Sequence, residues 1–153
     1  MIREEDDGVW LEIEESIAIH HEEVFGCLMT GSGLTRWLCM SAEVDPRPGG
    51  LVRLGWDERM KRTTTVAILE LDAGGRVTWD WYADHGNLHA PVYWHVEPVV
   101  EEGSRVHLRQ GPFRMEPSVL LLLAEQAQYW QWHVCNLRAV LEAKLDMRRH
   151  RPL

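Results

Sequence analysis

Eight histidines, three cysteines and eight tryptophans are the side chains through which this chain could do chemistry. His20 and His21 adjoin. His85 and His89 stand four apart, the spacing at which two imidazoles share a helix face and could hold a metal. But Asp84-His85-Gly86-Asn87-Leu88-His89 reads as a loop, and no cysteine or carboxylate set is spaced to complete a ligand shell. No metal is expected. Asp80 and His95 could act as an acid–base dyad. Strand parity turns both outward, so a solvated cross-strand pair is the plainer reading. Cys27, Cys39 and Cys135 are odd in number and lack CxxC spacing, so neither a zinc site nor a disulfide framework follows. Reduced thiols of a cytoplasmic protein are the simplest reading. Cys27, near Phe25 and Leu28, and Cys39, near Trp37 and Leu38, fit small packing hydrophobes. There is no GxGxxG, Walker or GxSxG sequence; Gly31-Ser32-Gly33 and Gly49-Gly50 are turn signals. No catalytic residue and no cofactor is assigned.

Tryptophan is the unusual feature, with eight against three tyrosines and two phenylalanines. Such a chain needs wide, flat apolar surface, with an occasional indole N–H to orient a partner.

The elements that must position these rings follow from periodicity. Val9, Leu11, Ile13, Ile17 and Ile19 alternate with Glu12, Glu14 and Ser16, the pattern of a strand with one wet face. His21-Glu22-Glu23 opens a helical turn, with acids where the helix dipole favours them. Gly31-Ser32-Gly33 reads as a break, followed by a second short helix with Leu34, Trp37 and Leu38. Asp45-Pro46-Arg47-Pro48-Gly49-Gly50 is a turn by composition. Strands follow with Val52, Leu54 and Trp56, then with Val66 and Ile68 inward. Leu69 and Leu71 fit the other face of that second strand, a conflict the pattern leaves open. Asp72-Ala73-Gly74-Gly75 is a hairpin turn. Val77, Trp79 and Trp81, then Val92, Trp94 and Val96, then Val106 and Leu108 complete the alternating runs, with His107 and Arg109 outward. A hairpin closed over Asp84 to Ala90 would set Trp81 opposite Trp94, Asp80 opposite His95 and Tyr82 opposite Tyr93. A slip of two would keep the faces and change the partners.

From Pro117 to about Met147 nothing breaks a helix. Leu120, Leu123, Ala127, Trp130, Val134, Leu137, Leu141 and Leu145 make one apolar stripe, opposed by Glu125, Gln128, Gln131, Arg138 and Glu142. The Leu141 and Leu145 end should pack on the first strand. Gly111-Pro112-Phe113 reads as a loop that could act as a lid near Leu120 and Leu123.

With 153 residues, 45% hydrophobic and 26% charged, the chain suits one domain, 1–153, with its core between about 9 and 148. The longest clean apolar run, Val119 to Ala124, is too short to span a bilayer, and no secretory signal is visible. A net charge of −8 argues against nucleic acid. The one basic cluster, Arg148-Arg149-His150-Arg151, reads as a solvated tail. Neither a nucleic-acid nor a membrane partner is expected, and the chain should be a monomer or weak homodimer.

The order of elements resembles the START-like helix-grip fold of the SRPBCC superfamily. More narrowly, it is similar to stand-alone relatives of the activator of heat-shock-protein-90 ATPase, C-terminal-domain type. Glu23-Val24-Phe25 through Leu34-Thr35-Arg36-Trp37-Leu38 resembles the family's first helices. Asp45-Pro46-Arg47-Pro48-Gly49-Gly50 resembles its entry to the next strand, and Val77-Thr78-Trp79-Asp80-Trp81 its Trp-containing strand. Gly103-Ser104-Arg105-Val106-His107-Leu108 stands where the family has Gly-Thr. Gln131-Trp132 stands where it has Gly-Trp, ahead of Asn136-Leu137, Leu141-Glu142 and Asp146-Met147-Arg148.

The resemblance implies an α+β fold: a curved antiparallel sheet, two short helices after the first strand, and a long C-terminal helix across the concave face. It also implies a gap between helix and sheet that can hold an apolar small molecule. Trp56, Trp79, Trp81, Trp94, Leu108, Gln110, Leu123, Trp130 and Val134 are the candidates to line it. The alternative is that these side chains simply fill the core. Gln110 is the only polar residue that strand parity aims inward, and it cannot do acid–base work, which favours non-catalytic binding. A cyclase- or hydrolase-like enzyme of the same superfamily is the alternative, and a co-chaperone-like protein-binding module the second. No second domain of the eukaryotic co-chaperone's kind is recognised, so a chaperone partner does not follow.

Overall fold

The alternation at Val9–Ile17 becomes a strand, and a shorter strand that carries no such pattern precedes it. The computed structural model describes residues 1–81, 90–101 and 103–150. In it β1 (Ile2–Glu5) folds back on β2 (Gly8–Ile17), pairing Ile2 with Leu11 and Glu5 with Gly8. Every residue of β1 is exposed, so it has no apolar face to betray it and reads as a charged lead. Its hold on the sheet is backbone pairing plus charge: Arg3 meets Glu12 at 3.5 Å, and Glu5 accepts from Arg109.

Two helices follow, α1 (His21–Met29) and α2 (Gly31–Thr35). The sequence suggested a break at Gly31-Ser32-Gly33, but these residues begin α2. Thr30 Oγ1 accepts from the Gly33 N–H at 2.9 Å and so caps the helix. Gly33 is there for closeness: a Cβ would collide with the Gly26 carbonyl oxygen of α1. Trp37 and Leu38 come after the helix and are buried.

The chain then forms β3 (Ser41–Val44), β4 (Leu51–Gly55), β5 (Thr63–Asp72), β6 (Arg76–Asp80), β7 (Val92–Val99) and β8 (Gly103–Phe113). With β1 and β2 they make one curved eight-stranded sheet in the order β1-β2-β8-β7-β6-β5-β4-β3. Each described neighbour pair is antiparallel.

Three expectations are corrected here. The conflict in β5 is a bulge: the register shifts between Ile68 and Glu70, so Val66 and Ile68 face inward, Leu69 is exposed, and Leu71 returns to the inner face opposite Val77. The β6–β7 register differs from the expected one by four residues, with Val77 opposite Trp94 and Trp79 opposite Val92. Parity permits any even slip; bulk selects among them. Each tryptophan now faces a valine, and Trp79 and Trp94 meet diagonally, whereas the expected register would oppose two indoles. Tyr82, His85, Asn87 and His89 lie outside the described residues. Gly111-Pro112-Phe113 is not a lid loop but the end of β8, where Phe113 pairs with Val9 and is buried.

The long helix α3 runs from Pro117 to Ala143, and Lys144 ends it in the left-handed conformation. It crosses the concave face and packs on β2 and β8. Leu123, Trp130, Val134, Leu137 and Leu141 are buried, as the stripe requires. Leu120 and Leu145 at its two ends are exposed, and Val119 and Val140 are buried instead. The Leu141 end does meet β2's end: the Ala18 N–H donates to Glu142 Oε1 at 2.7 Å. Leu145 lies beyond the helix.

Arg148, the first residue of the basic cluster, is not part of a solvated tail but is held in the fold. A 3-10 turn, Met147–His150, brings Arg148 back under α2. Its guanidinium donates to the Thr35 and Cys39 carbonyl oxygens, both at 2.8 Å, and pairs with Asp146 at 2.8 Å. The fully buried Asn136 completes the clasp, donating to the Trp37 carbonyl oxygen at 2.9 Å and accepting from the Met147 N–H at 2.7 Å. Arg151 lies outside the described residues.

Candidate functional site

Period two on β6, β7 and β8 and period 3.6 on α3 aim their largest side chains at one another. The result is a cluster of indoles between sheet and helix. Trp94 sits at its centre, edge-on to Trp79 and to Trp130, each 5.5 Å away between ring centroids. Trp81 lies 4.8 Å from Trp130 and stacks along Trp79 at 6.4 Å. Such edge-to-face pairs contribute beyond their buried area.

One polar node interrupts this apolar interior. Gln110, on β8, is fully buried. Its Oε1 accepts from the Trp130 indole N–H at 3.1 Å. Its Nε2 reaches Gln126 Oε1 at 3.3 Å and the Ala90 carbonyl oxygen at 3.4 Å, long contacts that weaken quickly with geometry. The indole N–H groups of Trp79 and Trp94 are also buried, and no described residue accepts from them. A buried donor without an acceptor is costly, so each is a place where an acceptor would be welcome.

Of the nine candidate residues, Trp79, Trp81, Trp94, Leu108, Gln110, Leu123, Trp130 and Val134 are buried on the inner face of the sheet or on the facing side of α3. Trp56 stands apart. It is half-buried beyond β4, and its indole N–H donates to Thr64 Oγ1 at 2.9 Å.

Sequence reasoning missed several neighbours. Trp37 is fully buried, edge-on to Trp94 at 6.0 Å, with its indole N–H on the Cys27 carbonyl oxygen. Tyr129 packs on Trp81 and Trp130, and the His133 ring lies 4.2 Å from it. His133 Nδ1 is 2.8 Å from the Tyr129 carbonyl oxygen, which can only accept, so that nitrogen carries the proton. Gln126, four residues before Trp130, and His133, three after it, share its helix face, a spacing that could have flagged them.

The other candidate chemistry is dispersed. The His20 and His21 rings lie 4.4 Å apart and tilted by 35°, and His20 Nδ1 accepts from the Glu22 N–H at the start of α1. Asp80 and His95 are not partners: Asp80 stands opposite Ala67, and His95 opposite Arg76 and His107. Cys27 and Cys39 are buried. Burial pushes both thiols up, Cys39 to about 11, so neither is a ready nucleophile. No helix among the described residues is long and apolar enough to cross a membrane.

Residues 18–142 match the model of the family described as Activator of Hsp90 ATPase homolog 1-like protein, and the chain belongs to that family. Solved structures share its fold. SSP2350 from Staphylococcus saprophyticus superposes with a TM-score of 0.73 at 17% identity, covering 90% of this chain and 96% of its own. The Aha1 dimer from Colwellia psychrerythraea gives 0.72 at 15%, covering 88% and 96%. CalU16 from Micromonospora echinospora gives 0.72 at 17%, covering 97% and 86%. No curated protein matches the sequence.

Proposed function

We propose that this chain, a member of that family, is a non-catalytic binding protein for an apolar small molecule. The ligand sits between the sheet and the N-terminal half of α3, among Trp79, Trp81, Trp94, Gln110, Leu123 and Trp130. The observation that carries this reading is the Gln110–Trp130 hydrogen bond inside an indole-lined interior that holds two further indole donors without acceptors among the described residues. Apolar walls with a few convergent polar groups are the usual form of a small-molecule site. The chemistry selects a flat, largely apolar molecule with at least one hydrogen-bond acceptor. Entry fits the first turns of α3, where Leu120, Leu121 and the preceding Met115 are exposed. The test is a titration with a neutral naphthylamine dye, read by tryptophan quenching. Saturable quenching of the folded protein, weakened by Gln110→Leu, supports the reading. Quenching that never saturates refutes it.

A second reading rests on Tyr129 and His133. They place titratable groups beside Trp81 and Trp130, as a cyclase- or hydrolase-like enzyme would need. Turnover of a bound aromatic ester, lost in His133→Gln while dye binding persists, would favour this enzyme over the binding protein.

A further inference from the structure

The opposite face of the sheet carries a cluster of two histidines and a carboxylate. His95 on β7 and His107 on β8 stand directly across from one another, their rings 5.7 Å apart and inclined by only 20°. Glu97 follows His95 by two residues and so shares its face. Its Oε1 lies 2.9 Å from His107 Nε2. One ligand atom from each of the three lies within 4.8 Å of the others. We infer that His95, Glu97 and His107 form a binding site for a divalent transition-metal ion of the zinc class.

Two imidazoles and one carboxylate suit zinc, nickel or copper; calcium and magnesium prefer all-oxygen shells. Ligand atoms about 2.1 Å from a tetrahedral metal stand about 3.4 Å from one another, so the widest separation must close by no more than about 1.4 Å while the Glu97–His107 contact opens slightly. Side-chain torsions suffice, because all three side chains are only partly buried. The strands fix the rest, since a directly opposed antiparallel pair cannot drift in register. The surroundings also fit. Glu14 Oε2 lies 3.5 Å from His107 Nδ1. A carboxylate on the far nitrogen of a ligating imidazole orients the ring and raises its basicity. Arg105 braces both acids, 3.2 Å from Glu14 and 3.5 Å from Glu97.

The charges facing this cluster are Glu14, Glu97 and Asp72 against Arg76 and Arg105, with Arg109 engaged by Glu5 and Glu12. They nearly balance, which predicts moderate affinity. A surface cavity of about 480 Å³, lined in part by Tyr93, Arg76 and Arg109, adjoins the two histidines. It leaves room for water or a small anion at the remaining coordination positions.

The experiment is calorimetric titration of metal-free protein with zinc ion alone, repeated with cobalt and read by its visible absorption. The expected result is a single site of micromolar affinity, weakened at least about tenfold by each of His95→Ala, His107→Ala and Glu97→Gln. Affinity should fall as pH drops and protons displace the metal from the imidazoles. The double variant His20→Ala, His21→Ala should bind as the parent does. Circular dichroism establishes that each variant is folded. No zinc binding at millimolar metal, or binding unchanged in His95→Ala and His107→Ala, would overturn the assignment.

Discussion

The indole N–H of Trp130, on α3, donates to Gln110 Oε1, on β8, across 3.1 Å of an otherwise apolar interior. This bond ties the long helix to the sheet at the level of the tryptophan cluster. Gln110→Leu keeps the bulk but strands the Trp130 donor. Leaving a buried donor unpaired costs about 1–3 kcal/mol. Urea unfolding should show a loss of that size, with the protein still cooperatively folded.

The inward stripe of α3 predicts a contrast between two substitutions. Leu137 is fully buried, whereas Gln131 is exposed. Leu137→Asp puts an unpaired charge in an apolar seam and should abolish folding. Gln131→Asp should change stability by no more than about 0.5 kcal/mol. Comparing their thermal transitions checks both; two equally mild variants would mean that α3 does not grip a core.

The C-terminal clasp should be stabilising rather than ornamental. Arg148→Ala removes donors from two backbone carbonyl oxygens and from Asp146. The expected loss is about 1.5–3 kcal/mol, the range for hydrogen bonds to a charged group. Hydrogen exchange should rise at Trp37 to Cys39 as well as at the C-terminus. A rise at the C-terminus alone would show that the clasp does not reach the α2–β3 connection.

Acid stability should depend on Glu142. The Ala18 N–H and then Arg138 hold its carboxyl below the ordinary range, outweighing the opposing effect of burial. A depressed carboxyl contributes stability that is complete above its unfolded value, near 4.5, and is lost as pH falls through the lower folded value. Glu142→Gln should therefore flatten the stability profile below about pH 4.5. A profile parallel to that of the parent would contradict this.

The sequence read well where one physical signal dominated. The α3 stripe and the inward sets of β6, β7 and β8 came from periodicity alone, because each buries one face. β1 stayed hidden because it buries none. The β6–β7 register was open because parity distinguishes odd from even slips only, and the choice among even slips rests on fitting Trp94 against Val77 and Trp79 against Val92. Trp10 was passed over for a related reason. It falls out of the inward set of β2, yet it is buried on the other face under Arg109, whose guanidinium lies 4.1 Å from its ring. Gln110 was legible as an inward polar residue. Its partner Gln126 and the Tyr129–His133 pair were not, since they lie beside the apolar stripe rather than on it.

The most direct test of the interior binding site is to follow the tryptophan indole N–H signals by proton–nitrogen NMR while adding the naphthylamine dye. The signals of Trp79, Trp94 and Trp130 should shift together and saturate at one dye per chain. That of Trp10, held by Asp7 on the outer face, should stay in place. Shifts confined to Trp10, or none at all, would contradict an interior site and leave the tryptophan cluster as core alone.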